Sequence, residues 1–131
     1  LISLSSQKES EFITWIGEVS RDEVIKYLQS ANALCLPSYT EGFPNVILEA
    51  MSVGCPIIAT KVGAIEEMVH SDDFGSAGVC IKPRNIQQIK EAIEFMMLNP
   101  SKINEFKENG IKRITHKYTL PKIFQHYENL W

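Results

Sequence analysis

Two carboxylates, Glu41 and Glu49, stand with seven residues between them in the stretch SYTEGFPNVILEAMSVGCP, Ser38 to Pro56. An ionised carboxylate is acceptor-only and takes hydrogen bonds on both oxygens, so it suits pairs of hydroxyl groups. Glu41 precedes a Gly-Phe-Pro turn, whereas Glu49 lies inside the apolar run Val46, Ile47, Leu48, Ala50, Met51. On a helical wheel of about 100° per residue, the apolar residues cover most of the circumference. Asn45, Glu49 and Ser52 share the one narrow polar stripe. A surface helix shows a broad polar face, so this one reads as buried nearly all round. Glu49 must then face a solvent-filled groove or a polar partner, because a buried, unpaired carboxylate is costly or becomes protonated.

The turn before that helix carries chemistry too. Gly42 allows a tight backbone path. Pro44 suits the first helical position and leaves the amides of Asn45 and Val46 without helical acceptors. A helix N-terminus with free amides and partial positive charge is an anion site, and phosphate is its usual guest. Glu41 has the wrong sign for phosphate and the right one for sugar hydroxyls. Glu49, one helical turn on from Asn45, matches the hydroxyls of a ribose, as the acidic residue of dinucleotide folds does. A phosphate between two hydroxyl-rich ends describes a nucleotide sugar.

The elements that must hold these groups alternate along the chain. FITWIG (Phe12 to Gly17) reads as a strand. Ser20 with Glu23 makes a capping box, and Val24, Tyr27, Leu28 and Ala31 then recur at helical spacing. ALCLP (Ala33 to Pro37) reads as a strand buried on both faces. The helix from Pro44 reaches about Val53 and ends at Gly54; CPIIAT (Cys55 to Thr60) is the next buried strand. AIEEMV is a short helix, and GVCI (Gly78 to Ile81) is a strand ended by Pro83. Gln87 to Leu98 is a helix with Ile89, Ile93, Met96 and Met97 inward. Pro100 breaks it, Ser101 to Ile114 is a further helix and Pro121 to Trp131 a last one. Strands alternating with helices imply an open, Rossmann-like parallel α/β sheet with flanking helices. Ligands of such sheets bind outside the carboxyl ends of the strands, which is where Ser38 to Phe43 falls.

The totals fit one domain over residues 1–131. The composition, 44% hydrophobic and 22% charged, is that of a globular chain, and the net charge of −3 offers nucleic acid no basic field. No apolar run approaches the ~20 residues of a membrane span. The start, LISLSSQKES, lacks an initiator Met and a signal pattern, and reads as a cut through a longer chain. Cys35, Cys55 and Cys80 lie in or beside apolar runs and read as buried free thiols of a reducing compartment. His70, His116 and His126 are scattered singly, so no metal site is expected.

LPSYTEGFPNVILEAMSVGCPIIATKVGAIEEMV resembles the signature region of retaining glycosyltransferases of family four, which have the GT-B fold. The matching residues are Glu41, Glu49, Ala50-Met51, Gly54 and Pro56, with FITWIGEV upstream, VGAIEEMV downstream and two closing helices; the likeness covers about residues 11 to 131. It implies that Glu41 contacts hydroxyls of the donor sugar and is needed for activity, and that Glu49 binds the ribose. It further implies that Gly42, Phe43, Asn45 and Val46 hold the sugar and diphosphate by backbone amides, and that the nucleobase packs near Ile16, Gly17 and Glu18. Two positions depart from the family pattern. Gly63-Ala64 replaces Gly-Gly, and Glu66-Glu67 replaces Pro-Glu. Glu67 reads as structural, and Lys61 as a solvated surface residue.

The resemblance further implies a partial C-terminal domain lacking its first strands and the amino-terminal acceptor domain, so that the fragment alone is inactive. In the implied strand order 3-2-1-4-5-6, FITWIG is third and ALCLP fourth. Both then present unpaired edges, through which the fragment is expected to rearrange or self-associate. The implied reaction is transfer of a hexose from a UDP or GDP sugar to an acceptor hydroxyl with retention, without a cofactor or metal. The implied acceptor is a glycan or lipid-linked glycan held by the missing domain. The implied setting is bacterial polysaccharide or lipopolysaccharide synthesis, in the cytoplasm or peripherally at the inner membrane face. The alternatives are a nucleotide-sugar epimerase of the same architecture, against which the Glu spacing speaks, and a non-catalytic nucleotide-sugar-binding domain.

Overall fold

The computed structural model describes residues 12–118. The first helix, α1 (Arg21–Ser30), starts as expected: the Ser20 side chain accepts from the Glu23 amide, and the Glu23 carboxylate accepts from the Ser20 amide. Leu28 is its buried anchor, with Val24 and Ala31 packed beside it and Tyr27 exposed. Strand β1 (Leu34–Leu36) follows, then α2 (Asn45–Ser52), β2 (Ile57–Thr60) and α3 (Ile65–Val69). A short hairpin of β3 (His70–Ser71) and β4 (Gly75–Ser76) leads to β5 (Gly78–Ile81), and α4 (Ile86–Leu98) and α5 (Pro100–Lys117) close the described chain.

The main sheet has the order β1-β2-β5, all parallel, with Leu34 opposite Ile57 and Ile58 opposite Val79. The central strand β2 is buried on both faces because helices cover both. Ile57 and Ala59 point into a cluster with α2 and α3, including Ile47, Ala50, Met51, Ile65 and Met68. Ile58, one residue out of phase, points the other way, onto Ala92 and Met96 of α4 and Phe106 of α5. This alternation is the period of two of a strand, read on both sides. Helix α5 lies on α2 where Gly110 meets Met51.

Several expectations are corrected. FITWIG forms no strand, and Phe12, Ile13, Trp15 and Ile16 are exposed. Strand propensity becomes a strand only against a partner edge, and among the described residues nothing pairs with this run. The strand in ALCLP is narrower than expected and is not buried on both faces: Leu34 and Leu36 are half-buried and Cys35 is exposed. It pairs with β2 on one side only, so its other edge is open among the described residues.

Pro44 is not the first helical residue but the cap before it, with ψ of 112°, and Val53 caps the far end. Gly54 follows at φ +70°, the left-handed conformation that ends helices. Helix α4 buries Ala92 and Met96 with Ile89 beside them, while Ile93 and Met97 are exposed. The inner line is thus 89-92-96, and Ile93 and Met97 are each rotated about 100° from it. Pro100 starts α5 rather than only ending α4, as its fixed φ suits a first turn. The helix expected over Pro121 to Trp131, and His126, lie outside the described residues. Of the three cysteines, free as expected, Cys55 is buried, Cys80 half-buried and Cys35 exposed. Burial, with Glu66 nearby, pushes the Cys80 thiol up to about 11.

Candidate functional site

Strands β1 and β2 run parallel, so their carboxyl ends open on the same side. At that side the loop 38–43 is tied down at two points from outside and braced by one bond within it. The hydroxyl of Thr60, the buried last residue of β2, donates to the Ser38 carbonyl at 2.6 Å. The Ser38 hydroxyl donates to the Glu41 carboxylate at 2.7 Å. The Ala64 amide donates to the Gly42 carbonyl at 3.0 Å. Between these ties Gly63, at φ +54°, has its Cα against the Glu41 and Gly42 carbonyls, where any side chain would overlap backbone. This loop is therefore a fixed turn carrying Glu41 half-buried at its crest.

The steric need for glycine lies at Gly63 rather than Gly42. Gly42 has no left-handed φ, and a Cβ added there would meet nothing. Its exposed backbone instead leaves open space next to Glu41. Phe43 is half-exposed and its ring lies 6.0 Å from that of Tyr118. Tyr39, exposed on the same loop, lies under the Arg84 guanidinium at 5.3 Å.

Helix α2 starts at this turn. Pro44 offers it no side-chain cap, and its first two amides, of Asn45 and Val46, have no helical acceptor by geometry. Asn45 and Ser52 are exposed and Glu49 half-buried, so the polar stripe is where the wheel put it. Burial of Ile47, Ala50 and Met51 fixes that rotation. Glu49 has the polar partner its setting requires: Arg21 Nε donates to Oε1 at 2.7 Å, with the Glu49 side chain 15% exposed and that of Arg21 79%.

Residues 41–46 and Glu49 thus come together around the start of α2. Ile16, Gly17 and Glu18 are exposed on the segment leading into α1, whose first residue reaches Glu49. Reading the sequence alone misses Arg21, which is 28 positions from its partner. One signal was available: an Arg at a helix's first position opposes the macrodipole and needs a reason to be there.

Behind the site, α3 is held at its start and its middle. Its leading turn carries the Gly63-Ala64 contact. At its middle residue the Glu67 carbonyl accepts from Arg113 Nη2, and the Glu67 carboxylate pairs with Lys117 at 3.2 Å. Arg113 is buried, and its Nε and Nη1 have no hydrogen-bond partner among the described residues. Lys61 is paired with Glu66 at 2.5 Å, its ammonium held above and the carboxylate below their ordinary values mainly by that hydrogen bond. Among the described residues no group of three or more His, Cys, Asp or Glu could hold a metal ion. No helix among them is long and apolar enough to cross a membrane.

Known proteins resemble this chain over most of its length. The family described as Glycosyl transferases group 1 matches residues 3–113. An MMP alpha-(1->4)-mannosyltransferase of Mycolicibacterium hassiacum is 27% identical over 110 residues, 84% of this chain and 26% of that protein. A capsular polysaccharide biosynthesis glycosyltransferase of Staphylococcus aureus is 30% identical over 108 residues, 82% of this chain and 27% of that protein. The chain therefore spans about a quarter of the length of these relatives. Sucrose-phosphate synthase from Thermosynechococcus elongatus superposes with a TM-score of 0.81 at 25% identity, covering 94% of this chain and 31% of that one. The parallel sheet with its flanking helices and the family match agree, and the chain belongs to the group 1 glycosyl transferases of GT-B fold.

Proposed function

We propose that this chain is the donor-binding part of a retaining glycosyltransferase that moves a hexose from a nucleoside-diphosphate sugar to an acceptor hydroxyl. The observation that carries the reading is the placement of Glu41 and Glu49 on either side of the uncapped start of α2. The Asn45 and Val46 amides, with the backbone of Gly42 and Phe43, face a diphosphate and stabilise the negative charge that grows on it as it leaves. Glu41, oriented by Ser38, accepts from hydroxyls of the sugar and is the catalytically needed carboxylate of this half. Glu49 accepts from the ribose hydroxyls. Ile16, Gly17 and Glu18 line the way to the base, uracil or guanine.

In this reading the donor carries its own leaving group, so the transfer uses no cofactor and these residues hold no metal. The acceptor, a glycan or lipid-linked glycan, binds a domain beyond this chain, and the chain alone does not transfer sugar. The setting in this reading is bacterial surface polysaccharide or lipopolysaccharide synthesis at the cytoplasmic side, of which the capsular polysaccharide relative supports the polysaccharide part. The relatives named above are transferases or synthases, and nothing favours the epimerase alternative.

The test is calorimetric titration of the complete protein carrying this chain with UDP and GDP hexoses and with the bare nucleotides. Replacing Glu41 by Ala should reduce the affinity for the nucleotide sugar by about tenfold or more, the value of one charge-assisted hydrogen bond. The affinity for the bare nucleotide should stay within about twofold, since Glu41 bonds only the sugar. Equal losses for both ligands would contradict the assignment of Glu41 to the sugar.

A further inference from the structure

We infer that Arg21 is a positioning residue for the Glu49 carboxylate, presenting it to the vicinal hydroxyls of the donor's ribose. The inference rests on the reading of Glu49 given above. Arg21 bonds one oxygen only, Nε to Oε1 at 2.7 Å, and no other side-chain bond to the Glu49 carboxylate is seen among the described residues. Oε2 is left with its acceptor capacity intact, as recognition of a diol requires. Glu49 is mostly withdrawn from water, while Arg21 reaches it from an exposed position.

Stability does not explain this pair. An ion pair with one member largely in solvent contributes little to folding. The first helical residue is also the wrong place for a cation, because the helix start carries partial positive charge. Asp22 and Glu23, which suit that place, follow directly in the same turn. The position is accounted for by its target instead. Helix α1 is fixed by its capping box and by Leu28 in the core, and it packs on α2. Arg21 therefore projects from a rigid platform onto a second rigid helix, and a Glu with three rotatable bonds is held in one conformation before the ligand arrives. Preorganisation of this kind saves the side-chain entropy otherwise lost on binding.

The position also joins two parts of the site. Gly17 and Glu18, on the proposed base side, lie just before Ser20 and Arg21 in the chain. The Arg21–Glu49 bond couples that segment to the helix whose start receives the diphosphate.

The experiment compares UDP and GDP with their 2′,3′-dideoxy forms, titrated into the complete protein as wild type, Glu49→Ala, Arg21→Ala and Arg21→Lys. Wild type should prefer the ribonucleotide by about tenfold or more, and Glu49→Ala should abolish that preference. Arg21→Ala should cut the preference by about fivefold while dideoxynucleotide affinity stays within about twofold, and Arg21→Lys should recover part of it. Circular dichroism of each variant establishes that it is folded. If Glu49→Ala removes the preference and Arg21→Ala leaves it unchanged or raises it, the positioning role is overturned and Glu49 keeps its own. If Arg21→Ala weakens both forms equally, the residue is structural and the inference also fails. If Glu49→Ala leaves the preference intact, the ribose reading of Glu49 falls, and the role of Arg21 with it.

Discussion

Gly63 sits with its Cα against the carbonyl oxygen of Glu41, at φ +54°, so closely that a methyl group there would overlap the backbone. The same methyl would come within 2.7 Å of the Gly42 carbonyl. The turn that carries Glu41 is thus shaped from outside, by a glycine 22 positions later in the chain, one residue past the Val62 that follows β2 and Lys61.

Gly63→Ala should therefore be costly where Gly42→Ala is not. A left-handed φ alone costs a non-glycine residue about 1–2 kcal/mol, and the overlap adds to it. Gly42→Ala, in open space, should stay within about 1 kcal/mol of wild type. Urea denaturation of both variants, with nucleotide-sugar titration alongside, checks this. Gly63→Ala with wild-type stability and affinity would mean that the turn is not clamped as described.

The capping box makes a second prediction. Ser20→Ala removes the acceptor for the Glu23 amide and should cost about 1 kcal/mol. Because α1 carries Arg21, the same change should loosen the hold on Glu49. The readout is the ribo- to dideoxynucleotide preference beside the urea midpoint. A variant that loses stability but keeps the full preference would separate the helix start from the site.

Acid stability should depend on Glu23 and Glu66. Both carboxyls are held below their ordinary value of 4.5, Glu23 chiefly by its hydrogen bond from the Ser20 side chain and Glu66 chiefly by that from Lys61. A depressed folded-state pKa means that the unfolded chain binds the proton first. The stabilisation is therefore present above 4.5 and is lost as pH falls through the lower folded value. Lys61, raised above 10.5 by Glu66, contributes below 10.5 and loses its contribution as pH rises through its folded value. Urea midpoints measured across pH should fall less steeply on the acid side for Glu23→Gln and Glu66→Gln than for wild type. Unchanged acid limbs in both would contradict these pairings.

Thiol chemistry should separate the cysteines. Cys35 is exposed on the open edge of β1, while Cys55 is buried and the Cys80 thiol is pushed up to about 11. Burial raises the Cys35 and Cys55 thiols as well, so access separates the three; an aromatic disulfide reagent should titrate one thiol faster than the others at neutral pH, and Cys35→Ser should abolish that fast phase. If sedimentation shows that the chain self-associates through the β1 edge, dilution to monomer should expose that thiol further. A fast phase that survives Cys35→Ser would contradict the placement.

How much of this was legible beforehand differs by feature. The capping box at Ser20, the buried β2 and the stripe of Asn45, Glu49 and Ser52 all rest on local patterns, and local patterns are written in consecutive residues. FITWIG shows the limit: its composition favours a strand, but a strand exists only against a neighbour, and no local pattern supplies one. Cys35 failed for the same reason, since an apolar run does not say whether its strand is central or at an edge. In α4 the apolar residues Ile89, Ile93, Met96 and Met97 span more of the circumference than the core covers, so sequence alone set the inner face one step off. Gly42 was credited with a constraint that belongs to Gly63, and Arg21 went unseen, because both involve contacts between distant segments. The chemistry of the loop and of the helix start already suggested a nucleotide sugar for the two Glu residues, and the family resemblance implied the same ligand class.

The most direct measurement is titration of the complete protein with UDP and GDP, with and without Glu49→Ala. The account predicts binding of one of the two nucleotides and a loss of roughly 1.5–3 kcal/mol on removing the carboxylate, with the fold intact. Undiminished binding would leave Glu49 as a helix residue salt-bridged to Arg21, and would contradict the proposed donor site.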